Sequence, residues 1–153
     1  MPFSRTTSAG AAMIAGAALL ASLSGCGFIA AGNKSSTKPS GFVLTGEATV
    51  ALPAGQTAAV GTPCSAPSGA TDVAQNVTVT VSDPAGKKLA TGALGSGVIT
   101  ASGSALACSF PFEIPAVPGN DASYAISIGS RPAQTFAGTP LRQSTAAVVT
   151  ITP

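Results

Sequence analysis

Beyond residue 41 the chain alternates between apolar and polar positions. From Phe42 to Leu52 (FVLTGEATVAL) the even positions are apolar or small, and the odd ones include Thr45, Glu47 and Thr49. That is the period-two signature of a strand with one buried face. Asn76–Asp83 repeats it, with Val77, Val79 and Val81 on one side and Thr78, Thr80 and Ser82 on the other. Asp83-Pro84-Ala85-Gly86 follows as a turn, since proline suits the second position of a type I turn and glycine the fourth. Lys87–Ala93 is then expected as the hairpin partner. The clearest strand spans Leu106–Ile114, with Leu106, Cys108, Phe110, Phe112 and Ile114 on one face and Ser109, Pro111 and Glu113 on the other. Pro111 lacks a donor, so this strand is expected at a sheet edge or with a bulge. Tyr124, Ile126 and Ile128 alternate again, and Ala146–Thr152 closes the chain as a β-branched strand. With weaker candidates near 57–61, 98–101 and 133–138 the count reaches seven or eight short strands. Helical periodicity is missing from this region. The expected fold is all-β: an antiparallel two-sheet sandwich over residues 42–153.

The N-terminal region follows a different pattern. Arg5 is the one charged side chain before an apolar, Ala- and Gly-rich stretch from Ala9 to Leu23, which reads as a secretory signal. Leu23-Ser24-Gly25-Cys26 resembles the bacterial lipobox. The resemblance implies that residues 1–25 are a cleaved lipoprotein signal and that Cys26 is thioether-linked to diacylglycerol, an anchor carrying chains such as palmitate. Two other readings are a plain secretory signal leaving Cys26 as an odd thiol, and an uncleaved transmembrane anchor. The first leaves an exported unpaired cysteine, and the second rests on a run that is only weakly hydrophobic. Residues 26–41, small, polar and punctuated by glycine and proline, read as a flexible tether. The expected location is extracytoplasmic, on the outer face of the cytoplasmic membrane, held by lipid.

With Cys26 acylated, Cys64 and Cys108 remain as an even pair in an oxidising compartment, where disulfides persist. The alternation turns Cys108 inward, so Cys64 has to come to meet it. The competing readings are two free buried thiols or a metal pair. The metal pair lacks a histidine or third cysteine to complete a tetrahedral site.

Composition narrows the chemistry. Histidine is absent from all 153 residues, which removes Ser-His and Cys-His catalysis and the commonest metal ligand together. A net charge of +2 is too weak for a nucleic-acid surface. Glycoside hydrolysis needs two carboxylates across one bond, and only Glu47, Asp72, Asp83, Glu113 and Asp121 are available. Asp83 belongs to its turn and the two glutamates alternate outward, which leaves Asp72 with Asp121 as the candidate pair. Calcium ligands in Asp-x-Asp spacing are missing, and Gly92-Ala93-Leu94-Gly95-Ser96-Gly97 lacks the lysine and helix of a phosphate loop. Ser35-Ser36-Thr37-Lys38 fits the Ser-x-x-Lys pattern but lies in the tether, without its companion motifs. Lys87, Lys88, Arg131 and Arg142 read as scattered solubilising charges, with an anionic-polymer patch as the alternative.

Val77–Gly92 (VTVTVSDPAGKKLATG), followed by Phe110-x-Phe112-x-Ile114-Pro115 and Tyr124-x-Ile126-x-Ile128, resembles sandwiches of the prealbumin-like or carboxypeptidase-regulatory type. The two-cysteine domain from Phe42 is also similar to small exported domains of actinobacteria. These likenesses imply an Ig-like or prealbumin-like scaffold, and a scaffold does not fix a function. The leading expectation is a non-enzymatic envelope lipoprotein, monomeric and without cofactor or nucleic acid, that contacts an envelope protein or a cell-wall polymer. The alternatives are a carrier of an apolar ligand such as an envelope lipid, with Phe110 and Phe112 lining its cavity, and an enzyme working through carboxylates alone.

Overall fold

The structure is a computed structural model that describes residues 40–153; Cys26 and the stretches expected to be a signal segment and a tether, up to residue 39, lie outside the described residues. Eight strands follow in order: β1 (Gly41–Ala51), β2 (Thr78–Ser82), β3 (Lys88–Ala93), β4 (Val98–Ser102), β5 (Ala105–Pro118), β6 (Ser123–Ile128), β7 (Gln134–Ala137) and β8 (Ala147–Ile151). A single helical turn, α1 (Gly138–Arg142), joins β7 to β8. Two four-stranded sheets result, β4-β5-β1-β8 and β3-β2-β6-β7, and the chain is the two-sheet sandwich that its alternation predicts.

Counted from β8, the first sheet has the A-B-E-D order of an immunoglobulin-type sandwich and the second the G-F-C-C′ order, with β8 in the place of strand A. One pairing departs from the antiparallel expectation: β8 runs parallel to β1, Gly46 opposite Ala147 and Val50 opposite Ile151. β7 runs back along β6 toward the end where β1 begins. The turn of α1 reverses the chain there, so β8 has to leave in the same direction as β1. The candidate strand at 57–61 is instead an exposed connection. It contains Gly61 at φ +89° and makes only a short ladder to the outer edge of β4.

The alternating positions fill the space between the sheets. Leu44, Ala48 and Val50 of β1, Cys108, Phe110, Phe112 and Ile114 of β5, and Val79, Val81, Tyr124, Ile126 and Ile128 of the second sheet are all buried. Tyr124, the second residue of β6, is fully buried and its hydroxyl donates to the Pro118 carbonyl 2.6 Å away, across the turn from β5. That hydrogen bond is the tyrosine corner of Greek-key sandwiches. The turn at Asp83 also forms as its residues require: Asp83 Oδ1 accepts from the N–H groups of Ala85 at 2.9 Å and Lys87 at 2.8 Å, and Gly86 takes φ +84°.

Pro111 corrects the edge expectation. β5 lies inside its sheet, between β4 and β1. β4 begins at Val98, opposite Ser109, so beyond that point the flank of β5 has no regular partner. The Pro111 carbonyl accepts from the Gly95 N–H on that flank at 2.7 Å, which places the missing donor on the same unpaired side. A bulge does occur, but further on. Phe42 faces Val117 and Leu44 faces Ile114, so β5 carries one extra residue there, with Ala116 at φ +58°.

Candidate functional site

β3 and β4 are one run of chain interrupted at Leu94-Gly95-Ser96-Gly97, where it crosses from one sheet to the other. Glycine permits the crossing. A Cβ on Gly97 would stand 2.6 Å from the Cys64 carbonyl and 2.7 Å from the Phe110 ring, and one on Gly95 would press on Pro111 at 3.2 Å. The long β1–β2 connection lies against the same seam. Gly61 N–H donates to Ile99 O and Ile99 N–H to Thr62 O, both at 2.9 Å, and Cys64 N–H donates to Gly97 O at 3.0 Å. This short ladder carries Cys64 over Cys108, and the two are joined as a disulfide with Cα atoms 5.9 Å apart. The pairing expected from the cysteine count is therefore made, and the free-thiol and metal-pair readings fall.

Between the seam and the connection the surface opens into a cleft of about 600 Å³. Its floor is apolar, formed by the Phe110 ring, Val73 and the disulfide. Its walls present Ser65, Thr71, Gln75 and Asn76 from the connection and Ser96 from the crossing, all five exposed. Asn76 sits at φ +68°, a left-handed conformation that asparagine tolerates better than most residues, and its N–H donates to Leu94 O at 2.9 Å. The cleft is lined without a single charged side chain. The cleft was not legible as a site in the sequence, because it needs the crossing and the connection brought together.

The sequence candidates for chemistry are dispersed. Asp72 gives both carboxylate oxygens to Arg131, with contacts of 2.7 and 2.6 Å. That hydrogen-bonded guanidinium holds the Asp72 carboxyl below the usual carboxylate range. Arg131 also donates to Thr152 O at 3.0 Å and Gly69 O at 3.1 Å, so it ties the β1–β2 connection to the chain end. Asp121 stands before β6 and Arg131 after it, so about 17 Å of strand separates Asp121 from the Asp72 site. A pair acting on one glycosidic bond stands about 5–9.5 Å apart, and Asp72 with Asp121 fails as a catalytic pair. The four cations form no common patch either. Lys87 and Lys88 follow the Asp83 turn at the end of the sandwich where Arg142 donates to Asp121 O at 2.7 Å, and Arg131 stands apart at the opposite end of β6.

The register of β1 against β5 gives a pair that alternation alone does not reveal. Thr45 faces Glu113 and Glu47 faces Pro111, so the two glutamates are diagonal neighbours on the outer face, along a shallow groove of about 520 Å³. Ser109, buried on that face, donates its hydroxyl to Glu47. Glu113 is exposed on the same face. Phe110 and Phe112 are 2% and 5% exposed and belong to the core between the sheets. Among the described residues no three Cys, Asp or Glu side chains converge as a metal site. Compared with known proteins, the chain matches no protein family, no curated protein and no solved structure.

Proposed function

We propose that the protein is a cell-envelope lipoprotein, anchored through Cys26, whose β-sandwich is displayed on the outer face of the cytoplasmic membrane as a non-enzymatic binding module. The observation that carries this reading is the polarity of the fold. The tether joins β1 at Gly41, opposite Pro118 at the far end of β5. The cleft reaches β5 at Phe110, roughly 25 Å of strand away. The end of the sandwich where β1 begins holds the Asp83 turn, α1 and the tyrosine corner, and the long β1–β2 connection and the disulfide lie toward the other end. The Cys64–Cys108 bridge fits export to an oxidising compartment. A partner in the envelope, protein or wall polymer, then meets the end of the sandwich that carries the cleft.

The test follows the anchor. Cys26→Ala is expected to remove the acyl group and move the protein from the detergent phase to the medium or to an uncleaved precursor. Unchanged detergent-phase partitioning of Cys26→Ala, with no lipid adduct on the wild-type chain by mass spectrometry, refutes the lipoprotein reading.

A further inference from the structure

We infer that the cleft beside the disulfide binds a neutral, hydroxyl-rich ligand, a segment of glycan; this deepens the binding-module reading above and rests on it. The ligand class follows from the lining. With no charged side chain on its walls, the cleft has nothing to compensate an anion or a cation entering it, and desolvating either there is unfavourable. What it presents instead are the hydroxyls of Ser65, Thr71 and Ser96 and the amides of Gln75 and Asn76. Each of these groups both donates and accepts hydrogen bonds, as a sugar hydroxyl does. The apolar surface that Cys64 and Ala66 leave partly exposed beside the buried Val73 and Phe110 suits the C–H face of a sugar ring. The volume falls within the range of about 300–1,000 Å³ usual for small-ligand sites.

Two competing ligands fit less well. An extended peptide binds best by adding a strand to a free sheet edge. Here the edge of β4 is already occupied by Gly61–Cys64, and Asn76, Leu94 and Gly95 all spend their N–H groups on neighbouring carbonyls. A lipid chain needs an enclosed apolar cavity, whereas this cleft is open and rimmed by five polar side chains. Because Phe110 is only 2% exposed, no aromatic face is offered for full stacking. Dissociation constants are therefore expected on the order of 0.1–1 mM for a short oligosaccharide, with tighter binding only to a repeating polymer.

The experiment uses the full-length chain purified from membranes in detergent, with ligand-observed saturation-transfer NMR titrations. The probes are three neutral trisaccharides (cellotriose, mannotriose and chitotriose), trigalacturonic acid as the charged counterpart, and a neutral tetrapeptide. At least one neutral trisaccharide should bind saturably, with affinity unchanged by added sodium chloride, and trigalacturonic acid more weakly. Gln75→Ala and Ser96→Ala should each weaken that binding about fivefold, the worth of one net hydrogen bond. Both side chains are exposed, so a melting temperature close to wild type is expected. Asn76→Gly, which keeps the backbone conformation and removes the amide, is the second variant should either fail to fold. The inference is overturned if no neutral trisaccharide binds, if a bound one is indifferent to all three variants, or if only the peptide binds in a variant-sensitive way. Cys26→Ala should bind sugar as the wild type does, so failure of the anchor and failure of the cleft are read separately.

Discussion

The disulfide gives the most quantitative test of the fold. Cys64→Ser opens a cross-link between residues 44 apart in sequence. In the chain-entropy account the bridge acts on the unfolded ensemble, and a loop of that length is worth about 4 kcal/mol at 25 °C. Little native packing should be lost with it. Cys108 remains fully buried as a thiol, and Cys64, only partly buried, takes an oxygen of similar size near the cleft. A loss of about 4 kcal/mol is a large share of the roughly 5–15 kcal/mol expected for a single domain, and should lower the melting temperature by about 15 °C. The measurement is urea unfolding of wild type and Cys64→Ser by circular dichroism, with and without reductant. The variant's midpoint should fall, its m-value should rise slightly as the unfolded chain expands, and reductant should move the wild type onto the variant curve. Curves that superimpose within about 1 kcal/mol would mean that the bridge does not constrain the unfolded state, and the entropic reasoning fails.

Three other outcomes follow from single contacts. Tyr124→Phe removes the corner hydroxyl and leaves the Pro118 carbonyl without its donor. A loss of about 1–2 kcal/mol in denaturant unfolding is expected, and a neutral result would deny the corner a structural role. Gly97→Ala places a methyl group against the Cys64 carbonyl and the Phe110 ring. It should cost about 1–3 kcal/mol by overpacking and narrow the cleft, so an unperturbed melting curve would contradict the close approach. Asp72→Asn tests the Arg131 ion pair through pH. Because the folded carboxyl titrates below its ordinary value of 3.8, the stability it contributes is present above that pH and lost as acid carries the solution down through the folded value. The wild-type advantage over Asp72→Asn should therefore vanish in acid and shrink with salt, and an advantage that grows on acidification would be inconsistent with the pair.

Alternation with a period of two is a local property, so the sequence located the strands well. β1, β5, β6 and β8 lie within a residue or a few of Phe42–Leu52, Leu106–Ile114, Tyr124–Ile128 and Ala146–Thr152, and the weak candidates at 98–101 and 133–138 are β4 and β7. Turn chemistry is equally local, and Asp83 caps its own turn. The inward aim of Cys108 was legible in the same way and, with the cysteine count, anticipated the bridge. The 57–61 candidate failed because apolar spacing in a short run does not outweigh Gly61 and Pro63 in a segment that is exposed.

Pairing between strands distant in sequence was decided only by the tertiary structure. Whether β8 runs parallel or antiparallel to β1 depends on which end of the sandwich the chain reaches after β7, and residues 147–151 carry no trace of that. Glu47 and Glu113 both point outward by alternation, yet it takes the register of β1 on β5 to make them neighbours. Asp72 looked like a free carboxylate until packing brought Arg131 onto it from a turn 59 residues away. The cleft is of the same kind: five small neutral side chains, unremarkable in the linear sequence, converge because Gly95 and Gly97 let the chain cross between sheets and the disulfide holds the β1–β2 connection beside that crossing. Side-chain direction along a strand is set by backbone geometry within a few residues, whereas the neighbours of a side chain are set by the closure of the whole chain.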